Sequence, residues 1–146
     1  MNKIKWCLKQ NKGIELVEPN ENLCDQYFIE AEKTLQLLEG RDNKWEVIMA
    51  YYACYHALYA LLMKAGIKCE IHDCTLALME KMAGFDRNDT LFLVKLKEQR
   101  IRAQYYLKEE RLRDLAKVKK FIFKCRELSE ELDVKMLRGI VDVSKK

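Results

Sequence analysis

The segment from Glu98 to Glu110, EQRIRAQYYLKEE, holds the polar residues with the clearest chemical meaning. Arg100 falls in a stripe of helical spacing that is otherwise apolar: Leu93, Leu96, Ala103 and Leu107. That position carries its guanidinium toward the core, a groove or a partner chain. A buried unpaired charge is too costly to keep, so Arg100 calls for a carboxylate, backbone carbonyls or an anionic ligand. From Arg87 to Arg126 there are 13 Lys/Arg and 5 Asp/Glu, while the whole chain carries only +4. Within that region Lys97, Arg102, Lys108 and Arg111 could extend a path for a polyanion such as RNA. Solvated helix faces produce the same charge pattern, so charge alone does not decide.

Cys69, His72 and Cys74 lie within six residues. Zinc sites usually pair two such clusters from separate segments. No second cluster exists here, so no metal and no cofactor are expected. His56 shares an angle on its helix with Trp45, Met49, Ala60 and Met63, where a histidine more often completes a core hydrogen bond than does chemistry. No Gly-rich phosphate loop, paired nucleophile and base, or helical HExxH occurs.

These residues need elements to hold them, and the chain is built around the stretch from Asn43 to Gly66. Trp45, Ile48, Tyr52, Tyr55, Tyr59 and Leu62 recur at steps of three and four, with Val47, Ala50, Cys54 and Leu61 beside them. A helix apolar nearly all round is buried in a core or spans a membrane. His56, the tyrosines and the charged ends argue for the core. Asn43 reads as its N-cap and Gly66 as its stop. Before it, Asn20 or Asn22 opens a helix ending near Glu39, stopped by Gly40, and the short link makes the two antiparallel. Residues 1–19 read as a short helix or an extended arm, and IKCEIHDC as a loop or a short strand. Further helices are expected from His72 or Asp73 to Gly84, from Thr90 to Tyr105, and from Glu109 to Leu132. The last of these would turn Leu112, Leu115, Val118, Ile122 and Cys125 inward. The expectation is an all-α up-and-down bundle of four to five helices over residues 1–132, with 133–146 a C-terminal extension or tail. The opening MNKIKWCLKQNKG has no run of signal-peptide length, which predicts a cytoplasmic protein without membrane insertion. In that compartment all six cysteines are expected as thiols.

Three blocks together resemble the HEPN superfamily of small archaeal and bacterial helical proteins: WCLKQNKGIELVEPNENL, YYACYHALYALLMKAGIKCEIHDC and RIRAQYY. The resemblance implies a helical bundle that pairs into a homodimer, often acting with a minimal nucleotidyltransferase in a toxin–antitoxin system. Several members are ribonucleases carrying an arginine followed, four to six residues on, by a histidine. Arg100 matches the arginine, but the histidine position holds Tyr105, as in a subgroup reading Arg-x-x-Ala-x-Tyr. A phenol with a pKa of about 10 is poorly matched to neutral-pH proton transfer. The resemblance therefore implies a module that binds RNA or nucleotide through Arg100. The alternative is a metal-independent RNA endonuclease with an altered site, in which Arg100 stabilises the phosphorane and Tyr105 or His72 moves protons.

Overall fold

The computed structural model describes residues 2–39 and 44–146 and is an all-α bundle. Four long helices form its frame: α2 (Glu21–Leu38), α3 (Lys44–Ala65), α5 (Arg87–Tyr105) and α6 (Leu115–Glu131). Three short ones pack around them: α1 (Lys3–Lys9), α4 (His72–Met79) and α7 (Val134–Ser144). Two residues on each side, β1 (Glu15–Leu16) and β2 (Ile67–Lys68), pair antiparallel, Glu15 opposite Lys68 and Leu16 opposite Ile67. The ambiguous segment after Gly66 is thus a two-residue strand leading into α4.

Caps set the helix starts. The Asn20 side chain accepts from the Leu23 N–H, and Asp86 and Asp89 form a reciprocal capping box that starts α5 at Arg87, three residues before the expected Thr90. The Asn43 cap and the Gly40 stop lie outside the described residues. Helix α3 packs against α2, α5 and α6, as a helix apolar on nearly every face must. The Asn20 N–H bonds the Met63 carbonyl, and Tyr27 meets His56 and Tyr59, so the start of α2 meets the end of α3 and the two run antiparallel. Among the described helices α3 alone is long and apolar enough to cross a membrane, and 78% of its apolar window is buried inside the bundle. That is the burial of a core helix.

Three expectations are corrected here. The last long helix begins at Leu115, capped by Asp114, not at Glu109. Leu112 precedes it in an irregular connection, half-buried, with its N–H on Glu46 Oε1 at 3.0 Å. Residues 133–146, read as an extension or tail, contain α7, which Asp133 caps and which buries Leu137 and Val141. Trp45, placed on the main inward stripe, is 50% exposed, and Tyr52 is half-buried while its neighbour Tyr51 is fully enclosed. The six cysteines are not all thiols, because Cys7 and Cys74 form a disulfide joining α1 to α4. The compartment argument missed it because the pairing depends on a three-dimensional approach across 67 residues. Closing a loop of that length stabilises a fold by about 4 kcal/mol in the chain-entropy account. The other four cysteines are buried thiols.

Glycine is required at Gly66, where φ is +73° and a Cβ would sit 2.3 Å from the Val17 carbonyl oxygen. It ends α3 and lets the β1 approach pass directly over it.

Candidate functional site

Arg100 lies on the inward face of α5, 7% exposed. Its Cζ is 4.8 Å from the centre of the Tyr51 ring, 5.5 Å from Tyr52 and 5.9 Å from Tyr105. Nη1 donates to the Tyr52 hydroxyl at 3.0 Å and to Gln104 Oε1 at 3.4 Å. Nε is buried and has no partner. Among the described residues no ion pair links Arg100 to a carboxylate. Tyrosine ring faces therefore take the place that a carboxylate would usually fill. The geometry rests on α3: Tyr51 and Tyr52 are adjacent, so one points into the core and the other toward the α5 side, and the guanidinium spans both.

The second arm of the site comes from α4. His72 stands in its first turn, and its Nδ1 is 2.7 Å from the Tyr51 hydroxyl. The Tyr55 ring stacks on the imidazole with centroids 4.0 Å apart, and its hydroxyl is 2.9 Å from Thr75 Oγ1. Burial pushes the Tyr51 and Tyr55 phenols well above their ordinary pKa, so both keep their protons. Burial, reinforced by the Arg100 guanidinium and Lys97, lowers His72 to about 4. The imidazole is neutral at pH 7. The Tyr51 hydroxyl and Nδ1 share one hydrogen bond, whose donor depends on which ring nitrogen carries the proton. Tyr51 thus joins the two arms, its ring under Arg100 and its hydroxyl on His72.

The second histidine, His56, lies on the other flank of Tyr52. His56 sits with its ring centre 5.7 Å from Tyr27 and 6.2 Å from Tyr52, and its Nδ1 is buried without a partner. Burial lowers its pKa too.

The remaining sequence-derived residues divide. Tyr105, 65% exposed, closes the outer side of Arg100. Lys97 borders the His72 turn but is engaged by Asp73 at 2.5 Å. Arg102 points away to Glu110 at 3.1 Å. Lys108 and Arg111 line a shallow groove of about 530 Å³ with Lys44, Trp45, Leu107, Glu109 and Glu110, so that part of the basic path has acids interleaved. Cys74 is consumed by its disulfide, so the Cys69, His72 and Cys74 trio is no thiolate ligand set, and among the described residues no cluster suits a metal. Sequence reading missed Tyr51 and Gln104. The aromatic run itself was visible, but a helix apolar all round gives no signal for which tyrosine faces a neighbour's arginine.

The fold and the site together define a class: a helical bundle with a buried, carboxylate-free arginine held among tyrosines and a neutral histidine. Comparison with protein-family models, with curated proteins and with solved structures finds no match to this chain.

Proposed function

We propose that this chain is a HEPN-like binding module that takes the phosphate of RNA or of a nucleotide at Arg100, acts as a homodimer beside a minimal nucleotidyltransferase in a toxin–antitoxin setting, and works in the cytoplasm. One observation carries the reading: the deeply buried Arg100 keeps a free Nε–H and no acidic partner. A guanidinium so placed gains most from an oxyanion that accepts from its unused edge. His72, neutral at pH 7, has one of its ring nitrogens engaged by the Tyr51 hydroxyl. A histidine neutral down to about pH 4 is also poorly matched as a proton acceptor at pH 7. This favours binding over cleavage.

Homodimer formation is supported by a half-open face along α3. On α3, Trp45, Met49 and Tyr52 fall at steps of four and three and stay only partly covered, Trp45 being 50% exposed. A two-fold pairing on this face would bring both Arg100 sites toward one seam. Sedimentation should give twice the 17.4 kDa chain mass.

The test is binding of a labelled single-stranded oligoribonucleotide, titrated with salt. Affinity should fall steeply as salt rises. Arg100→Ala should weaken it at least about tenfold, since a charge-assisted hydrogen bond is worth roughly 1.5–3 kcal/mol. Lys124→Ala, which removes a surface lysine paired with Asp89, should change it far less. Unchanged affinity in folded Arg100→Ala sinks the proposal. The altered-site endonuclease is favoured by the Tyr51 link from Arg100 to His72. RNA cleavage by wild type at neutral pH, lost in both Arg100→Ala and His72→Gln, would replace binding with that reading.

A further inference from the structure

We propose that the Cys7–Cys74 disulfide is a redox control on the Arg100 site: its reduction releases α1 from α4 and loosens the turn that holds His72. The inference rests on the reading of the Arg100 cluster as a binding site. The bond is cleaved by a dithiol, which gives two electrons and two protons to the sulfurs. Cys7 and Cys74 become thiols, and the reductant leaves as its own cyclic disulfide.

The first turn of α4 shows why that bond matters. Its N-cap, Ile71, offers no side-chain hydrogen bond, and the helix is only 8 residues long. A helix of that length has little stability of its own. What holds the turn is four consecutive side chains with four partners. His72 bonds Tyr51, Asp73 pairs with Lys97, Cys74 is bonded to Cys7, and Thr75 meets Tyr55. Cys74 lies between His72, which reaches Tyr51 under Arg100, and Thr75, which reaches Tyr55 on the face of the His72 imidazole. The only covalent tie in the turn therefore governs where His72 and Thr75 stand.

The other end of the tie is weakly anchored. Helix α1 has 7 residues and packs mainly on α4 and α7. Its last turn is folded back by the Cys7 carbonyl, which accepts from Gln10 at 3.3 Å and Ile14 at 3.0 Å. Short helices with few packed neighbours open locally at low free-energy cost, and such opening would expose the enclosed sulfurs to a reductant. Internal exchange is disfavoured. Cys69, the nearby thiol on the same connection, bonds the Ile71 carbonyl, and burial raises its pKa, so little thiolate is present to attack. The electrons must come from outside.

The experiment uses the full chain in oxidised form, after dithiothreitol, and as Cys7→Ala. A Cys24→Ala variant, which alters a buried thiol elsewhere, serves as control. Thiol titration, far-ultraviolet circular dichroism, imidazole NMR and binding of a fluorescent single-stranded oligoribonucleotide are measured on each. His56→Gln assigns the second imidazole. The expected result is four free thiols in the oxidised chain, retained helix on reduction, a displaced His72 resonance, and affinity lower by at least about fivefold, the low end of site-to-site couplings. Cys7→Ala should reproduce the reduced state, and Cys24→Ala should not. Six thiols in protein isolated with alkylation would overturn the inference. So would global unfolding on reduction, which makes the bond purely structural. An unmoved His72 resonance with equal affinity would do the same. If the oxidised chain binds no oligoribonucleotide, the binding reading fails by itself. The redox coupling then stands or falls on the His72 resonance alone.

Discussion

Two arginines reach the central helix, Arg138 at its C-terminal end and Arg100 at Tyr51 and Tyr52 in its first half, and they are satisfied in opposite ways. Arg138, on α7, donates through Nη1 to the carbonyls of Val17 at 2.7 Å, Ala65 at 2.9 Å and Gly66 at 2.9 Å. Two of these are carbonyls at the C-terminus of α3, which have no partner within the helix. Nη1 has only two hydrogens, so one N–H is shared between acceptors. Arg100, on α5, is more deeply buried yet meets three ring faces, one phenol and one amide, with Nε left over. The lesson is that depth of burial does not identify a structural arginine. The acceptor inventory separates the two: Arg138 is met by carbonyls at the helix end, while Arg100 Nε has no acceptor, and that donor is the one the proposed ligand would fill.

The largest effect should come from the satisfied partner. Arg138→Ala takes the charged donor from the Val17 and Ala65 carbonyls, while Gly66 keeps its bond from the Val17 N–H, and releases α7, costing about 3 kcal/mol, since a hydrogen bond to a charged group is worth roughly 1.5–3 kcal/mol. Urea unfolding measures it, and Arg138→Lys should recover part of the loss. A loss under about 1 kcal/mol would mean that α7 docks through Leu137 and Val141 alone, and the contrast would weaken.

Next comes Tyr51→Phe, which keeps the ring under Arg100 but removes the hydroxyl bonded to His72. The expected cost is about 1–2 kcal/mol, the usual penalty when a buried group loses its partner. The His72 NMR signals should also show both neutral tautomers where wild type shows one. If the tautomer is unchanged, Tyr51 is not what orders the Arg100 end.

What the sequence revealed follows from how each feature is encoded. The central helix was legible because its apolar spacing persists over six turns, and α2 and α5 because a cap precedes each. The face of α3 was not. With apolar residues all round, periodicity could not rank Tyr51 above Tyr52, and it put half-exposed Trp45 inside. The start of α6 was misplaced because Leu112, Leu115 and Val118 continue a helical spacing backward past the true cap, Asp114. Leu107, at φ +54°, already marks the chain leaving α5 there. Helix α7 carried a signal that was passed over: Asp133 ahead of Leu137 and Val141 at a step of four. Arg100 was found as a charge in an apolar stripe, but its tyrosine setting and the disulfide depend on contacts between distant segments, which spacing does not encode.

A smaller effect tests the electrostatics of the Arg100 side. His72 binds a proton at about 4 in the folded chain and near 6.5 when unfolded. Between those values the unfolded chain holds the extra proton, so stability is full above about pH 6.5, falls through the window and levels off below about 4. His56, lowered by burial, acts in the same direction. Solvent reaches the half-buried His72, so the loss between pH 7 and pH 5 should be a drop in melting temperature of only a few degrees. His72→Gln should remove most of that slope. Asp73 and Asp86, held down by Lys97 and by the Asp89 backbone N–H, lose their contributions at lower pH, in the carboxylate range. A slope confined to that lower range would mean that His72 is not held neutral.

The smallest expected effect on stability is the most diagnostic. Arg100→Met keeps the apolar stem at a similar volume and removes the charge. It forfeits the hydrogen bond to Tyr52, whose half-buried hydroxyl can turn to water, and the ring contacts, worth about 0.5–2 kcal/mol. Against this it relieves a buried guanidinium whose Nε–H has no acceptor, a penalty of comparable size. The two terms nearly cancel, so stability should stay within about 1 kcal/mol of wild type while oligoribonucleotide affinity falls. An arginine serving as a structural ion-pair partner behaves otherwise, because removing one member of a buried pair costs about 3–5 kcal/mol. Urea unfolding and binding measured on the same Arg100→Met preparation separate these cases. A loss above about 2 kcal/mol would make Arg100 a second Arg138, a residue the fold requires, and would end the argument that its open donor marks a ligand site.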